Sequence, residues 1–430
     1  MDSESKKKNW AKLRRSFDDR AEAGRGSDPL DEAGAFDDDS YSNSNAPLTA
    51  RFDRAEAIVS GKALRENFRA IQDQVGDQAI LPMIKADAYG HGAAFATKAL
   101  AQARNLYGFG VASLDEAREI RETLGAKGRR TRVMALSGAT NWSDEKGQYC
   151  ERFGITPTIA SDEDWRRFLK GKWPERLKYH LKFNTGMNRL GISAGLVQQI
   201  LSQLKDKPLE WRPEGVATHM AVAEDDGHSL TKKQLETFRG ITSAVKSTWT
   251  DTLFHLANSG SIWHAKEFGL DGWTDLVRPG ISLYGVPPWP GAPARGLVPA
   301  MELRYQVAAR RQVKPGESVG YGAHFKVKGS ESPVEIAILA AGYADGLHRM
   351  NSGIGEGGGR AWLDGRLRRF LGVVSMDLSA IECDASTEVG AWARIFGEGL
   401  DPWTQAKAAG TIPYEVLTSV SRRVRRVFKD

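Results

Sequence analysis

From about residue 51 onward the apolar positions of this chain follow two rhythms. Leu64, Phe68, Ile71 and Val75 recur at helical spacing, which predicts an amphipathic helix. The next apolar run, Ile80-Leu-Pro-Met-Ile84, is short and ends on Lys85. It reads as a buried strand, followed by a small-residue and glycine turn and a helix over about 93–104. Further strands are predicted at 109–113, 132–136, 155–159, 179–183, 215–219, 253–257 and 276–278. Ser113-Leu-Asp-Glu116 is a capping-box sequence opening a helix to about residue 124, and Ser161-Asp-Glu-Asp164 caps the helix after the fourth strand. Helices over 194–204 and 230–246 follow. Eight short strands alternating with helices, with no hairpin-like early connection, predict an α/β fold: a (β/α)8 TIM barrel over 51–298. A doubly wound open sheet is the competing arrangement, because alternation does not establish closure.

Beyond about residue 299 the helical rhythm fades. Strands are predicted at 301–312, 334–340, 360–364, 370–374 and 392–396, with one helix over 404–409. This is a second, mostly-β domain over 299–430. The run Gly353-Ile-Gly-Glu-Gly-Gly-Gly359 neither follows a strand nor opens a helix, so it reads as a mobile turn and not as a dinucleotide loop. Residues 1–50 differ from everything after them. Lys6-Lys7-Lys8, Arg14-Arg15 and Asp37-Asp38-Asp39 stand in a background of Ser, Asn and Gly, which predicts a disordered extension with at most a short helix over 8–19.

Composition narrows the class. At 430 residues the chain can bury two sizeable cores. A net charge of +6 suits anionic small molecules and argues little for nucleic acid. Cys150 and Cys383 lie far apart and show neither disulfide nor zinc spacing. A reducing compartment, and so a cytoplasmic location, is the expectation. No apolar run is long enough to span a bilayer, and no secretory signal is expected.

Candidate chemistry collects at the strand ends. In a barrel, functional groups come from the carboxyl ends of the strands, and phosphate tends to bind beyond the seventh and eighth. Here those ends carry Lys85; Lys182 leading into Asn184-Thr-Gly-Met-Asn-Arg189; His219; Asn258-Ser259-Gly260; and Arg278-Pro-Gly280-Ile281. An ammonium at the end of a buried strand is costly without a partner or a task. A snorkelling lysine and a Schiff-base lysine are both consistent with Lys85 alone. Likewise His219 could be a hydrogen-bonded core histidine and Arg278 a salt-bridge partner. Ser259 and the backbone around Gly280 and Ile281 fall where a phosphate would bind, since glycine lets the backbone approach an anion closely.

Lys85-Ala-Asp-Ala-Tyr-Gly-His-Gly92 resembles the pyridoxal phosphate attachment motif of the alanine racemase family. Later motifs of that family are matched in order by His180-Leu-Lys-Phe-Asn-Thr-Gly-Met-Asn-Arg-Leu-Gly191, Val277-Arg-Pro-Gly-Ile-Ser-Leu-Tyr-Gly285, Gly320-Tyr-Gly322, Gly342-Tyr-Ala-Asp-Gly346, Met376-Asp377 and Pro413-Tyr-Glu-Val416. The resemblance spans about 54–430. It implies pyridoxal 5'-phosphate carried by Lys85, its phosphate held by Tyr89, Ser259, Gly280, Ile281 and Tyr414, and its phenolic oxygen contacted by Arg189. His219 would support the ring and Arg278 would face the pyridine nitrogen. Lys182 is carbamylated in many relatives; an unmodified lysine paired to a neighbouring acid is the alternative.

The same resemblance implies a homodimer with shared sites. Racemisation needs one proton-transfer group per face of Cα; Lys85 would serve one face and Tyr321 of the second subunit the other. Met376 would lend its backbone amide to the substrate carboxylate, while Tyr343 and Tyr414 would narrow the opening. Arginine donates hydrogen bonds and stays protonated, so a ring nitrogen facing Arg278 makes a weaker electron sink than one facing an acid. That argues against a barrel-type decarboxylase. A broader amino-acid racemase and a non-catalytic cofactor-binding protein are the remaining alternatives. The basic run at Arg422, Arg423, Arg425 and Arg426 lacks stacking aromatics and reads as a solvated strand edge rather than a nucleic-acid patch.

Overall fold

The computed structural model describes residues 54–137, 140–172, 177–328, 332–354 and 357–430. The expected extension over 1–50 and its short helix lie outside the described residues, as does part of the 353–359 run. Strand β1 (Ala55–Ser60) leads into the helix Gly61–Val75, where the Ser60 hydroxyl accepts from the Ala63 amide and Leu64, Phe68 and Ile71 are buried. The ring that follows is built from β2 (Ala79–Ile80), β3 (Gly108–Val111), β4 (Arg132–Ala135), β5 (Ile155–Ile159) and β6 (His180–Asn184). A two-residue branch on β6 is β7 (Ile192–Ser193), and β8 (Gly215–Ala217), β9 (Leu253–His255) and β10 (Leu276–Val277) complete the ring.

All neighbouring pairs from β3 to β9 are parallel, and β10 pairs parallel with β2. Two sets of backbone hydrogen bonds close the circle. Ile80 donates to Asn105 (2.9 Å) and Tyr107 to Ile80 (2.8 Å) on one side of β2; Asp275 donates to Phe254 (2.8 Å) and Arg278 to Ala257 (2.9 Å) between β9 and β10. Eight parallel strands without a free edge make a (β/α)8 barrel, so the open-sheet alternative fails. The first strand differs from its expected 80–84. Pro82 has no N–H to give the ladder, so regular pairing stops at Ile80, yet irregular bonds to both neighbours continue through Met83 and Ile84.

The second region is a β-rich domain built around a long strand, β11 (Met301–Val313), whose first half buries every second residue. Its partners are β14 (Val334–Leu339), reached past the small hairpin β12 (Ser318–Val319) and β13 (Phe325–Lys326), and β18 (Trp392–Phe396). Between these lie β15 (Arg360–Leu363), β16 (Arg366–Arg369) and β17 (Ser379–Glu382); β19 (Arg425–Lys429) ends the chain. β1 is laid between β11 and β19, antiparallel to the first and parallel to the second. The segment just before the barrel, on the barrel side of the expected boundary, is thus part of the second sheet.

The strand expected at 370–374 is displaced to β16. Asp364 (φ 52°) and Gly365 (φ 72°) make a tight two-residue hairpin between β15 and β16, the turn an Asp-Gly pair favours. The helix Pro413–Thr418 was also not expected. The basic run does lie on a solvated edge: β19 is the outer strand of its sheet and Arg422, Arg423 and Arg425 are exposed, although Arg423 pairs with Asp377, Arg425 with Glu56, and Arg426 donates to the carbonyls of Val420 and Val424. Among the described residues no helix is long and apolar enough to cross a membrane.

Candidate active site

Lys85 stands where the first barrel strand ends, and the backbone behind it is unusual. Ala86, Asp87, Ala88 and Tyr89 all have φ between 51° and 55°. Each L-residue so placed costs about 1–2 kcal/mol, and four in succession persist only if tertiary contacts over-determine them. Glu116 supplies one such contact. Its side chain completes the capping box of the helix Leu114–Leu124, accepting from Ala112 and Ser113, and also accepts from the Ala86 amide at 2.8 Å. Asp87 accepts from the Ala93 amide at 2.7 Å. His91 Nδ1 lies 3.1 Å from the carbonyls of both Ala88 and Tyr89, so it carries the proton. Burial pushes this imidazole down to about 4, which keeps it neutral. Gly90 completes the turn (φ 83°): a Cβ there would stand 2.6 Å from the Leu417 carbonyl oxygen of the second domain.

The turn opens on a cavity of about 510 Å³ at the carboxyl ends of the barrel strands. Lys85, Tyr89, Lys182, Arg189, His219, Ser259, Arg278, Gly280 and Tyr414 all line it. Tyr414 comes from the second domain, on the helix Pro413–Thr418. Ile281 lies buried immediately behind Gly280. Tyr321 and Met376 do not line this cavity; they are 73% and 52% exposed on the second domain.

The cavity is strongly cationic. The Lys85 side chain is open to the cavity on one side, but burial of the rest and the charge of Arg189 lower its pKa, against the pull of Glu116. Burial and the charges of Arg278, Arg189 and Lys85 lower Lys182 to about 8. No carboxylate lowers this cost, so the expected alternative of a lysine paired to an acid finds no support among the described residues. Arg278, fully enclosed, is lowered to about 10 by burial. Its Nη2 donates to the carbonyls of Thr218 (2.8 Å) and Leu256 (3.2 Å) and meets His219 Nδ1 at 3.2 Å, while Nη1 meets His255 Nδ1 at 2.7 Å. Because arginine only donates, His219 Nδ1 accepts and its proton sits on Nε2. Burial and the Arg278 charge hold His219 well below its ordinary range.

At the far side of the cavity the Ser259 hydroxyl oxygen accepts from the amides of Gly280 (2.9 Å) and Ser282 (3.3 Å). Its own proton is therefore left to point at a ligand oxygen. Ile281 begins a 3₁₀ turn, where the first N–H groups have no partner within the turn. Gly280 must be glycine, since a Cβ would stand 2.5 Å from the Tyr89 hydroxyl. Burial raises the Tyr89 phenol and pushes Tyr414 up to about 12, so both are neutral donors. Neutral hydroxyls, the first amide of the 3₁₀ turn at Ile281 and cations with no carboxylate bonded to them among the described residues fit a phosphorylated, anionic cofactor with a carbonyl group for Lys85.

Two contributors are not marked by the strand-end rule. Glu116 reads from sequence only as a helix cap. Asn258, named with Ser259 at its strand end, caps the short helix Ser259–Trp263 with its side chain. His255 was read as a strand residue, although two-residue alternation sets it on the face of Ala257 and Ser259.

The chain matches the family descriptions "Alanine racemase, N-terminal domain" over residues 59–288 and "Alanine racemase, C-terminal domain" over 300–428. An alanine racemase of Marinobacter nauticus is 34% identical over 375 residues, covering 86% of this chain and 98% of that protein. Among solved structures, the biosynthetic alanine racemase of Pseudomonas aeruginosa superposes with a TM-score of 0.77 at 30% identity, over 88% of this chain and 100% of that one. The alanine racemase of Bartonella henselae, solved with covalently bound pyridoxal phosphate, superposes at 0.75 and 28%, over 87% and 99%.

Proposed function

The chain belongs to the alanine racemase family, and from that premise we propose that it interconverts L-alanine and D-alanine with pyridoxal 5'-phosphate. In this reading it works as a cytoplasmic homodimer supplying D-alanine for cell-wall peptidoglycan. The barrel over 51–298 holds the cofactor, and the domain over 299–430 contributes to the partner's site. The observation that carries the reading is one cavity in which a lysine with a lowered pKa, an arginine held by donor bonds to the barrel, and a serine-glycine anion cradle face a common space.

Pyridoxal phosphate, when bound, supplies the electron sink that acidifies the Cα–H of the amino acid. Lys85 holds the cofactor and, once released as an amine, takes or returns the proton on one face of Cα. Its lowered pKa favours the neutral amine that this role needs. Tyr321 of the partner subunit does the same on the other face; the exposure of Tyr321 and Met376 outside their own chain's cavity supports a shared site. A phenol with an ordinary pKa of about 10 needs cationic neighbours to act near neutrality, and Arg189 and Arg278 offer them. Ser259, Gly280, Ile281, Tyr89 and Tyr414 bind the phosphate, Arg189 the phenolic oxygen, and His219 supports the ring. Arg278 donates toward the ring nitrogen without protonating it. The Met376 amide orients the substrate carboxylate, and Tyr343 and Tyr414 exclude large side chains. Lys182 carries a carbamate.

The test is turnover of L-alanine by the purified protein, followed by polarimetry, with L-serine, L-lysine and L-arginine as comparators. Alanine well ahead of the others is expected. Comparable turnover of lysine would indicate a broad racemase, and no turnover of any amino acid a non-catalytic cofactor-binding protein.

A further inference from the structure

Beneath Arg278 the barrel core holds a row of titratable groups that the chemistry above does not use. Arg278 Nη1 lies 2.7 Å from His255 Nδ1, and His255 Nε2 lies 2.8 Å from His180 Nδ1. His180 Nε2 lies 3.4 Å from the Tyr107 hydroxyl and 3.6 Å from Glu214 Oε2. Arg132 Nε ends the row with a 3.0 Å hydrogen bond to Glu214 Oε1. Both histidines are 0% exposed, and the row links β9, β6 and β4 to the residue after β10. Gly215 packs directly against the His180 ring: a Cβ there would stand 2.3 Å from it.

Counting donors orients the whole row. Arginine can only donate, so His255 Nδ1 accepts and the neutral ring carries its proton on Nε2. That proton points at His180 Nδ1, which therefore accepts as well. The His180 proton is then on Nε2, facing the Tyr107 oxygen and the Glu214 carboxylate. A second proton on either ring would set two donors face to face. Burial pushes both imidazoles down, for His180 against the pull of Glu214. Burial alone would raise the Glu214 carboxyl, but Arg132 beside it holds it well below the carboxylate range.

We propose that Glu214 is a positioning residue for the electron sink: acting through His180 and His255, it holds each ring in one tautomer and so pins Arg278 as a protonated donor toward the cofactor. The proposal rests on the reading that Arg278 faces the cofactor ring. Without the Glu214 carboxylate, the buried His180 Nε2–H would be left to the neutral Tyr107 oxygen alone, at 3.4 Å a weak acceptor. The ring would then favour its other tautomer, His255 would follow, and Arg278 would meet a donor where it now has an acceptor.

The test uses the full chain, free of cofactor and labelled with ¹⁵N-histidine, with resonances assigned by single substitutions. His255 and His180 are each expected to show a protonated Nε2 and a bare Nδ1 from about pH 6 to about 9, across the range where a free imidazole titrates. An Nδ1–H tautomer or an imidazolium on either ring overturns the proposal without any variant. Glu214→Gln offers one acceptor end to two donors, so it should mix the His180 tautomers. In the cofactor-loaded enzyme it should lower kcat about tenfold in both directions, the scale of one lost charged hydrogen bond, with KM for alanine nearly unchanged and the absorbance band of the bound cofactor displaced. Glu214→Asp, which keeps the charge, should recover most of the loss. An unaltered ¹⁵N pattern with unaltered kcat in Glu214→Gln would overturn the assignment. If the wild type fails to turn over alanine, the racemase reading fails, while the ¹⁵N pattern and the absorbance band still decide this one.

Discussion

Lys182 offers the most quantitative check on the cationic cavity. Its pKa of about 8 instead of 10.5 means that the charged form is disfavoured by about 3 kcal/mol. At pH 7.5 roughly a quarter of the amine would be neutral, against about one part in a thousand for a free lysine, a gain of roughly two-hundredfold. The neutral amine is the form that attacks carbon dioxide: a new N–C bond forms, one C–O π pair moves to oxygen, and an N–H proton leaves to solvent. The product replaces a positive charge by a negative one among Arg278, Arg189 and Lys85, the three groups that depress this lysine. The assay is ¹³C NMR of the cofactor-free protein in ¹³C-bicarbonate, with Lys182→Gln as control. A carbamate resonance should appear in the wild type, grow as pH rises toward about 8, and vanish in the variant. The sign also fixes a stability effect without bicarbonate. The unfolded chain binds the extra proton between pH 8 and 10.5, so this group makes the folded state gain stability as pH rises through that window. No resonance in the wild type, or one that survives Lys182→Gln, refutes the reasoning.

Other predictions test the division of labour and the strained turn. Lys85→Ala should abolish racemisation in both directions, whereas Tyr321→Phe should lose about 10²–10⁴-fold mainly in proton abstraction from L-alanine; equal losses in both directions, measured by α-proton exchange from each enantiomer, would contradict the assignment of faces. Mixing the inactive Lys85→Ala and Tyr321→Phe proteins and letting subunits exchange should restore about a quarter of wild-type activity, because half the dimers are then mixed and each mixed dimer has one intact site. No recovery after proven exchange would mean that Tyr321 serves its own chain. Glu116→Ala should remove the acceptor shared by Ala86, Ala112 and Ser113 and cost about 2–3 kcal/mol, read as a lower urea midpoint of the cofactor-free protein; an unchanged midpoint would mean that other contacts hold the turn.

Much of the barrel was legible because its signals are local. The spacing of Leu64, Phe68 and Ile71, the Ser113-to-Glu116 box and the Ser161 cap each lie within one or two turns of chain, and each appears in the structure. The strand-end rule picked out Lys85, Lys182, Arg189, His219, Ser259, Arg278 and Gly280, the family resemblance added Tyr89 and Tyr414, and all of them line one cavity. Where legibility failed, the controlling contact was usually distant. β19 reads as a basic strand edge, but that its neighbour is β1, 369 residues earlier, is set only by the fold. The left-handed turn from Ala86 to Tyr89 contains no glycine, and Glu116, Asp87 and His91 help to hold it from outside. The β15–β16 hairpin is different, since Asp364-Gly365 was a local signal that could have been read.

Taken alone, the order of residues decided which positions face inward and which strand tips carry chemistry, because side-chain direction follows from the covalent repeat of helix and strand. Folding in three dimensions decided the rest. Closing the ring set Arg278, His255 and His180 in hydrogen-bonding sequence with the Glu214 carboxylate 3.6 Å beyond, and burial with like charges lowered the amine of Lys182. Both depend on distance and dielectric between groups far apart in the chain, and neither has a local signature.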